Sequence, residues 1–485
     1  MLFNSYIFIF AFLPVVFLGY FYLNHLRLSS AAKAFLVAAS LFFYSWWNIA
    51  YLPITLASML FNYVVGNTLN ENFQKIRLHK KTVLTVGIVA NVALLGYFKY
   101  TDFLIENFNA LLGTSVPLLH LALPLAISFF TFQQIAYLVD SYRGETREYD
   151  FLNYALFVTF FPQLIAGPIV HHAEMMPQFA SKWNCVKRYR NIASGLFIFS
   201  IGLFKKVIIA DSFAVWATAG FDHAPQLDMI EAWTTSLSYT LQLYFDFSGY
   251  TDMAIGAALL FNIKLPINFN SPYKATSIQD FWRRWHITLS RFLKEYVYIP
   301  LGGNKKGEIR TYGNLFATFL IGGIWHGAGW TFLFWGFLHG MAMVIHRAWQ
   351  KIGLRLHWLL AWFLTFNFIN ITWVFFRAKS WEDAIKVLNG MFAGDIVLSP
   401  AWQERFDKFS EHGVRFGHWL QHISNDPYTL YWVLGGVLIV LLLPNSNRLT
   451  RDFKPNLLTM LFASALFLVA VSSLSKLSEF LYFNF

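Results

Sequence analysis

Two histidines of this chain stand among apolar residues, and each follows a tryptophan. His326 lies in the stretch Ile321 to His339, which reads IGGIWHGAGWTFLFWGFLH, and His286 lies in WRRWHITLS. A neutral imidazole can take a proton from a hydroxyl that attacks a thioester, because its pKa lies near physiological pH. An ionisable side chain at membrane depth is costly and therefore marks a functional candidate. For His326, a hydrogen bond to a neighbouring helix is an equally good explanation from these residues alone.

A second polar group combines acids, a serine and a glycine in an apolar setting. Asp246, Ser248 and Asp252 occur within YFDFSGYTDMAIG. The two carboxylates could carry protons, or the group could cap and pin helix ends near Gly249. Ser, Asp and Gly together are typical of turns and N-caps, which favours the structural interpretation, with these side chains placed beside an internal passage.

Two adjacent arginines, Arg283 and Arg284, lie in the charged stretch Gln279 to Ile299, which reads QDFWRRWHITLSRFLKEYVYI. This stretch is too charged to span a bilayer, and its large apolar side chains fall on one helical face. The pattern predicts a helix in the interface plane, with that face buried among lipid headgroups or on the bundle. That face contains Phe281, Trp282, Trp285, Leu289, Phe292, Leu293 and Tyr296. The guanidinium groups could bind anionic lipid, which we favour, or the phosphates of a donor molecule, with Trp325 as a further donor-binding candidate.

The chain lacks the familiar signatures of soluble enzymes. No GxSxG elbow, Walker loop, HExxH pair or dinucleotide fingerprint occurs. The one cysteine, Cys185, excludes an internal disulfide and a cysteine-rich metal site. His412, His418 and His422 lack the close spacing of metal ligands, so we predict no metal site. A buried imidazole is left as the main chemical group.

Composition predicts a polytopic membrane protein. Of 485 residues, 56% are apolar and only 13% are charged. Lysine and arginine exceed the acidic residues by 37 to 26, and the excess lies in short loops. Such a distribution indicates membrane topology and contact with anionic lipid of the bilayer rather than nucleic acid.

Hydropathy and loop charge predict an all-α fold of one domain, residues 1–485, with about eleven crossings plus re-entrant and interfacial helices. Leu2 to Leu23 is expected to be a retained spanning helix rather than a signal peptide, because it lacks a basic start and an A-x-A site. The stretch Phe151 to Val170 contains Pro162 and Pro168 and is predicted to re-enter without crossing. Lys205 and Lys206 are expected to extend their side chains to the inner interface.

The residues around His326 predict a long apolar hairpin. A helix from Thr311 to Trp325 covers roughly 20 Å at 1.5 Å per residue, most of a hydrocarbon core of about 30 Å, and places His326 deep at the turn. Basic residues on both sides of the hairpin predict that its ends are cytoplasmic; they are Lys305, Lys306, Arg310, Arg347, Lys351 and Arg355. Aromatic residues of the hairpin could line a passage that excludes water from an activated acyl group; they are Trp325, Trp330, Phe332, Phe334 and Trp335.

Five stretches together resemble the membrane-bound O-acyltransferases, in the bacterial branch of alginate O-acetylases and peptidoglycan O-acetyltransferases. They are WHGAGWTFLFWGFLHG, DFWRRWHITLSRFLKEYVYIPLGGNKKG, LYFDFSGYTDMAIG, FFPQLIAGPI and ITWVFFRA. The similarity runs nearly end to end. It implies a multi-helix membrane fold around a tunnel, the catalytic histidine of the WHG motif at His326, and a second characteristic histidine at His286.

The resemblance also implies a reaction. The expected function is acetyl transfer from a cytoplasmic donor, acetyl-CoA, to an extracytoplasmic polysaccharide such as alginate or peptidoglycan, across a bacterial inner membrane. A periplasmic SGNH-type acetyltransferase is the expected partner, and no bound cofactor is expected. The polymer, and whether the sugar or a partner side chain receives the acetyl group, stay open.

Two other functions fit the same residues. A transporter or flippase of an acylated or polymeric substrate would use the passage and the buried charges without needing His326 as a base. A scaffold that recruits an external enzyme would tolerate the loss of His326.

Overall fold

The computed structural model of the chain describes residues 1–70, 79–146, 150–424, 426, 428–474 and 481. In this part the chain is all-α, as predicted, apart from one parallel pair of three-residue strands, β1 (Ile396–Leu398) and β2 (Val414–Phe416).

Twenty-one α-helices lie in the described ranges. The first ten are α1 Leu13–His25, α2 Ser29–Ser45, α3 Leu52–Leu69, α4 Lys80–Leu112, α5 Ile127–Tyr142, α6 Phe151–Thr159, α7 Phe161–Leu164, α8 His172–Ala180, α9 Tyr189–Phe204 and α10 Asp211–Thr218. The others are α11 Met229–Leu260, α12 Ile278–Trp282, α13 Ile287–Leu293, α14 Glu308–His326, α15 Trp330–Ile352, α16 Trp358–Arg377, α17 Trp381–Ala393, α18 Gln403–Phe406, α19 Thr429–Leu442, α20 Ser446–Arg451 and α21 Leu457–Ser472.

Several helices have the length and composition of membrane spans. Five are long and apolar enough to cross a bilayer: Phe8–His25, Ile49–Leu69, Lys80–Leu112, Tyr189–His223 and Trp358–Arg377. Three shorter apolar helices are α2, α19 and α21. The chain is therefore a polytopic membrane protein, and the number of about eleven crossings stays a prediction.

The predicted hairpin around His326 is confirmed. It consists of α14 and α15, joined by Gly327 to Gly329. The two helices cross at Gly323 and Gly336, where a Cβ on Gly323 would lie 2.9 Å from the Gly336 Cα. Glycine at the crossing lets the helix backbones touch, which holds the turn at a fixed position.

The centre of the bundle is α11, a continuous helix that is buried over almost its whole length. It packs mainly against α9, α10 and α17. Helix α9 continues through a π-helical segment, Lys205–Ala210, into α10. A helix surrounded on all sides needs internal partners for its polar side chains.

Those partners correct two predictions. Lys205 and Lys206 do not reach the interface, since only 8% and 3% of their surfaces are exposed. Lys205 Nζ lies 2.8 Å from Asp252 Oδ2, and Lys206 Nζ lies 2.6 Å from Asp246 Oδ1. The two aspartates lie inside α11, and in the described ranges neither is the N-cap residue of a helix. Hydropathy missed this arrangement because the partners lie on a different helix, some forty residues away along the chain.

Ser248 joins the same network. Its Oγ accepts a hydrogen bond from Lys205 Nζ at 3.3 Å, and Ser446 Oγ bridges to Asp252 Oδ1 at 2.9 Å. Asp246, Ser248 and Asp252 are therefore joined to the Lys205–Ala210 segment and to α20 by ion pairs and hydrogen bonds. Their structural role beside a tunnel stays a prediction.

The stretch Gln279 to Ile299 is not one interfacial helix. It breaks between α12 and α13 at His286, whose φ of +42° is left-handed. The aromatic face packs inside the protein, with Phe281, Trp285 and Phe292 exposed by 1%, 1% and 2%. Both halves of the stretch are buried on this face. A helical periodicity cannot reveal the break between them.

The stretch Phe151 to Val170 also breaks, as its prolines predict. Helix α6 ends at Thr159, and α7 follows Phe160 with Pro162 in its first turn. At 1.5 Å per residue α6 is about 14 Å long, too short to cross a core of about 30 Å.

The basic loops meet at one end of the bundle, which we call the basic face. It comprises the segments at residues 174–191, 262–284, 302–310, 347–355 and 443–456, which include the short helices α12 and α20. Hydrogen bonds join Asn191 to Asn262, Asn445 to Asn270, and Gln350 to Gln279. By the positive-inside rule this end is predicted to be cytoplasmic.

Candidate active site

His326 is the last residue of α14, and its imidazole is enclosed by aromatic rings. The ring centroids of Trp325, Trp335 and Phe376 lie 4.8, 5.1 and 5.0 Å from that of the imidazole. Only 3% of the residue is exposed. The helix ends here because Gly327 is extended, and a side chain at Gly327 would overlap the Phe332 ring. The imidazole is thus held in a tight, apolar setting.

A lysine from α4 holds the end of the His326 helix. Lys99 Nζ donates to the carbonyl oxygens of Trp325 at 2.6 Å and His326 at 3.0 Å, and it lies 3.4 Å from Ser128 Oγ. The last carbonyls of a helix have no intrahelical donor, and a cation there also offsets the negative end of the helix dipole. Lys99 therefore fixes the backbone that carries the imidazole.

His286 approaches the site from the break before α13. Its Nδ1 lies 3.1 Å from Asn268 Oδ1, and that oxygen also accepts from Thr288 N and Thr288 Oγ1. Because Asn268 Oδ1 is the acceptor in all three contacts, His286 Nδ1 carries the proton. A neutral His286 thus has its unprotonated nitrogen at Nε2. The ring centroids of His286 and Trp325 lie 6.4 Å apart. The two predicted histidines therefore lie beside the same tryptophan.

A third buried histidine, His339, lies one layer behind His326. Trp282 Nε1 donates to His339 Nδ1 at 3.2 Å, so the ring proton is on Nε2, which lies 3.1 Å from Thr372 Oγ1. Both ring nitrogens are thereby used within the protein. His339 packs against Trp335 at 4.6 Å, so it supports the wall around His326.

A cavity of about 290 Å³ adjoins the turn after His326. Its lining includes Lys99 and Asp102 of α4 together with Gly327, Ala328 and Phe332. The cavity therefore lies at the turn of the hairpin, which is the end opposite the basic face. It contacts the residues that follow His326. A tunnel through the whole bundle stays a prediction.

Stacked rings connect the imidazole with the opposite side of the site. Trp325 stacks on Phe132 at 4.8 Å, Phe132 on Phe292 at 4.0 Å, and Phe292 contacts Tyr296 at 4.9 Å. This aromatic column ends at a polar cluster in which Tyr296 Oη donates to Asp140 Oδ1 at 2.7 Å and lies 3.0 Å from His171 Nδ1.

The other predicted site residues differ in their position: Trp325 adjoins the imidazole, and the two arginines and Trp330 lie nearer the surface. Arg283 is exposed, and Arg284 is paired with Asp280 through Nε at 2.9 Å. Trp325 is 5% exposed within the apolar core; its role in donor binding stays a prediction. Trp330 does not surround the imidazole: it is 52% exposed and donates to Asn107 Oδ1 on α4 at 2.9 Å.

Sequence reasoning missed Lys99 and His339. Each is an ionisable residue in an apolar stretch, which is the same signal that selected His326. Only their spatial contacts separate the roles of these residues.

The structure gives no support for a metal centre in the loop histidines. His418 is exposed, His422 Nδ1 lies 2.9 Å from Glu231 Oε2, and the side chain of His412 lies outside the described part. In the described ranges no group of three or more His, Cys, Asp and Glu side chains is arranged so that it could hold a metal ion. The absence of a metal site stays a prediction.

The arrangement can perform acid–base chemistry in a water-poor setting. A neutral imidazole can accept a hydroxyl proton, and the surrounding rings keep out water that would hydrolyse an activated acyl group.

Comparison with known proteins gives the family. Residues 41–378 match the model of the membrane-bound O-acyltransferase family, MBOAT. The chain is 52% identical to the peptidoglycan O-acetyltransferase of Helicobacter pylori, over 100% of this chain and 98% of that protein. It is 40% identical to the probable alginate O-acetylase AlgI of Pseudomonas aeruginosa, over 81% of this chain and 75% of that protein. It is 27% identical to the teichoic acid D-alanyltransferase of Bacillus subtilis, over 53% of this chain and 69% of that protein. The chain with His326 at the end of its glycine-crossed hairpin thus belongs to the membrane-bound O-acyltransferase family and is an acyltransferase.

Proposed function

We propose that this protein transfers acetyl groups from acetyl-CoA, bound at the basic face, toward a hydroxyl of a polysaccharide on the other side of a bacterial inner membrane. The observation that carries the proposal is the enclosed imidazole of His326 beside a cavity at the far end of the hairpin. The names of the relatives, a peptidoglycan O-acetyltransferase and alginate O-acetylases, support acetyl as the group and a cell-envelope polymer as its destination.

His326 acts as the general base in the proposed step. Its neutral imidazole takes the proton of the acceptor hydroxyl while the hydroxyl oxygen attacks the acetyl carbonyl carbon. The new C–O bond forms, the C–S bond of the thioester breaks, and the imidazolium returns the proton to the leaving thiolate. The products are the acetyl ester and free CoA, and no redox partner is needed.

His286 is proposed as the secondary catalytic residue. Its Nδ1–H is committed to Asn268, which fixes the ring near Trp325 and His326. Its Nε2, the unprotonated nitrogen of the neutral ring, accepts a hydrogen bond that orients a reacting group in this proposal, while His326 takes the hydroxyl proton.

The donor is proposed to bind through its phosphates at Arg283 and Arg284. Arg283 is exposed, and both residues belong to the basic face, in the segment between α12 and α13. Replacing both with Gln is expected to raise the KM for acetyl-CoA about tenfold and leave kcat nearly unchanged, because charge-assisted hydrogen bonds to phosphate contribute to binding. Steady-state rates at varied acetyl-CoA measure this, and an unchanged KM contradicts the assignment.

The acceptor side involves a second protein in our proposal. A periplasmic SGNH-type acetyltransferase receives the acetyl group near the cavity by Gly327 and delivers it to the sugar. The cavity volume of about 290 Å³ is small for a polymer chain but is compatible with a single hydroxyl-bearing side chain or one sugar unit.

The test of the function is His326→Ala, with His25→Ala as a matched control at an exposed histidine. Loss of the base is expected to lower acetyl transfer by about 10²- to 10⁴-fold while the protein stays folded and inserted. The readout is acetyl ester on cell-envelope polysaccharide, measured by mass spectrometry with protein abundance in the membrane. A graded loss of acetyl movement indicates a transporter, and full activity of the His326→Ala variant indicates a scaffold. Either result refutes the proposal.

A further inference from the structure

A groove on the lipid-facing surface has the dimensions of a lipid chain. It has a volume of about 580 Å³ and lies between α9 and α21, with Leu196, Phe197 and Ser200 on one wall and Met460 and Ala463 on the other. Ligand pockets typically measure about 300–1,000 Å³. Helix α21 lies outside residues 41–378, so the groove is not contained in the part of the chain that matches the family model.

The groove begins at the basic face and ends inside the membrane. Its lining on α21 runs from Asn456 to Phe467, a rise of about 16 Å at 1.5 Å per residue. Half of a hydrocarbon core of about 30 Å is about 15 Å, so the groove covers one leaflet. At its inner end Phe467 contacts Phe10 with ring centroids 6.3 Å apart, which closes that end.

The mouth of the groove is strongly basic. The two chain segments that form it, residues 187–191 and 444–456, contain six basic residues and one acid, Asp452. The basic residues are Lys187, Arg188, Arg190, Arg448, Arg451 and Lys454.

The one acid does not neutralise the whole mouth. Arg448 and Arg451 approach Asp452 at 3.7 and 3.4 Å. In the described ranges no carboxylate lies within ion-pair distance of Arg190 or Lys454. Arg190 is on the same face of α9 as Ala193 and Phe197, which line the groove, and Lys454 stands between the lining residues Phe453 and Pro455. Both charges are therefore placed at the mouth.

We propose that this groove binds one anionic phospholipid of the leaflet at the basic face. One acyl chain lies between α9 and α21, and the phosphate lies at the mouth near Arg190 and Lys454. Clusters of about four to eight basic residues beside a membrane helix attract anionic headgroups. Here the six basic residues lie at the mouth of an apolar groove that is about as deep as one leaflet. The bound lipid links α21 to the core helix α9.

Native mass spectrometry of the purified full chain tests the site. Phosphatidylglycerol and phosphatidylcholine with identical acyl chains are added separately, and the affinity of the first bound lipid is measured. Phosphatidylglycerol is expected to bind at least about tenfold more tightly, since each basic residue near a headgroup favours an anionic lipid. Equal affinities overturn the proposal.

Variants separate the headgroup from the chain. Arg190→Gln with Lys454→Gln is expected to abolish the preference for phosphatidylglycerol, whereas Arg310→Gln with Arg355→Gln, which removes equal charge elsewhere on the basic face, keeps it. If the control loses the preference equally, the attraction is diffuse and the site is refuted. These four residues are exposed, so the comparison does not depend on the packing of the core.

Ala463→Trp fills the groove and is expected to remove the first tight site for both lipids. Retention of that site in the folded variant places the lipid elsewhere and overturns the proposal. If the parent chain is a dimer and Ala463→Trp converts it to a monomer with unchanged lipid binding, a second copy of the chain occupies the groove. That outcome also overturns the proposal.

Discussion

At the scale of single residues, the site depends on which polar group each buried side chain touches. His326, His286 and His339 are all buried, yet their hydrogen bonds differ. The ring nitrogens of His339 contact Trp282 and Thr372, and His286 Nδ1 is held by Asn268. His326 is surrounded by rings and borders the residues of the cavity, which makes it the best placed of the three for proton transfer.

Lys99 provides the prediction at this scale. Lys99→Met removes the donor to the Trp325 and His326 carbonyls, so the end of α14 is expected to shift. A misplacement of about 1 Å can reduce turnover about a hundredfold, so kcat is expected to fall about tenfold to a hundredfold with little change in the KM for acetyl-CoA.

The controls for Lys99 are on the same chain. Lys99→Arg is expected to restore part of kcat, and Lys81→Met, at an exposed position of α4, to change nothing. A rise in KM at constant kcat would show that Lys99 acts in binding rather than in positioning.

At the scale of elements, buried charges join the long helices. Lys205 and Lys206 of the π-helical segment pair with Asp252 and Asp246 of α11. A π-helical turn changes the direction of the side chains relative to a regular helix, which lets two successive lysines both face α11. These ion pairs set the relative position of α9 and α11, the two most closely packed helices of the bundle.

Breaking one ion pair is therefore expected to loosen this pair of helices. Asp252→Asn leaves Lys205 buried without its carboxylate, which typically costs about 3–5 kcal/mol. Thermal unfolding in detergent measures the loss. Asp395→Asn, in an exposed pair with Arg415, is the matched control and is expected to change stability little. An equal effect of both substitutions would exclude a special role for the buried pair.

The cap at the start of α11 gives a pH-dependent prediction. Asp228 accepts from Glu231 N at 2.8 Å, and burial, together with the nearby Glu231 charge, raises the pKa of Asp228 to about 6. The folded pKa exceeds the ordinary 3.8, so the fold favours the protonated form. Stability therefore falls as the pH rises from below 3.8 through 6.

Asp228→Asn keeps a good N-cap and removes the ionised carboxylate. It is expected to stabilise the protein at pH 8, by no more than about 1 kcal/mol because the residue is partly exposed and screened by solvent. At pH 4 the difference should disappear. The melting temperature of both proteins at the two pH values measures this, and a gain that is equal at both would exclude ionisation as its cause.

At the scale of the whole molecule, the two ends of the bundle differ in charge and in structure. One end is the basic face, and the other carries α17, the short strands and the loop that ends near His422. Arg377 pairs with Asp222, and His422 with Glu231, at this second end. The proposed reaction needs opposite sides of the membrane for donor and acceptor, so the orientation of the bundle decides its direction.

Single-cysteine labelling tests that orientation. In a Cys185→Ser background, Arg310→Cys and Lys454→Cys are expected to be shielded from a membrane-impermeant maleimide in intact spheroplasts. Glu404→Cys, on the opposite end, is expected to react. All three should react after permeabilisation, which controls for access. Labelling of the Arg310 position in intact spheroplasts would reverse the proposed direction of transfer.

The sequence by itself determined the membrane class and the α14–α15 hairpin, and it selected His326 as the candidate base. These follow from local properties: hydropathy, the charge of adjacent loops, glycines at a turn, and motifs that are contiguous along the chain. The proline-broken stretch Phe151 to Val170 was predictable for the same reason.

Only the tertiary structure decided how distant side chains are paired. Lys99 and His326 are more than two hundred positions apart along the chain, and Lys205 and Asp252 belong to different helices. A buried charge must find a partner, but the identity of that partner depends on how the helices pack, and a hydropathy pattern carries no such information. The break at His286 is of the same kind, since a left-handed residue inside an otherwise helical pattern is stabilised by contacts with Asn268 from another segment.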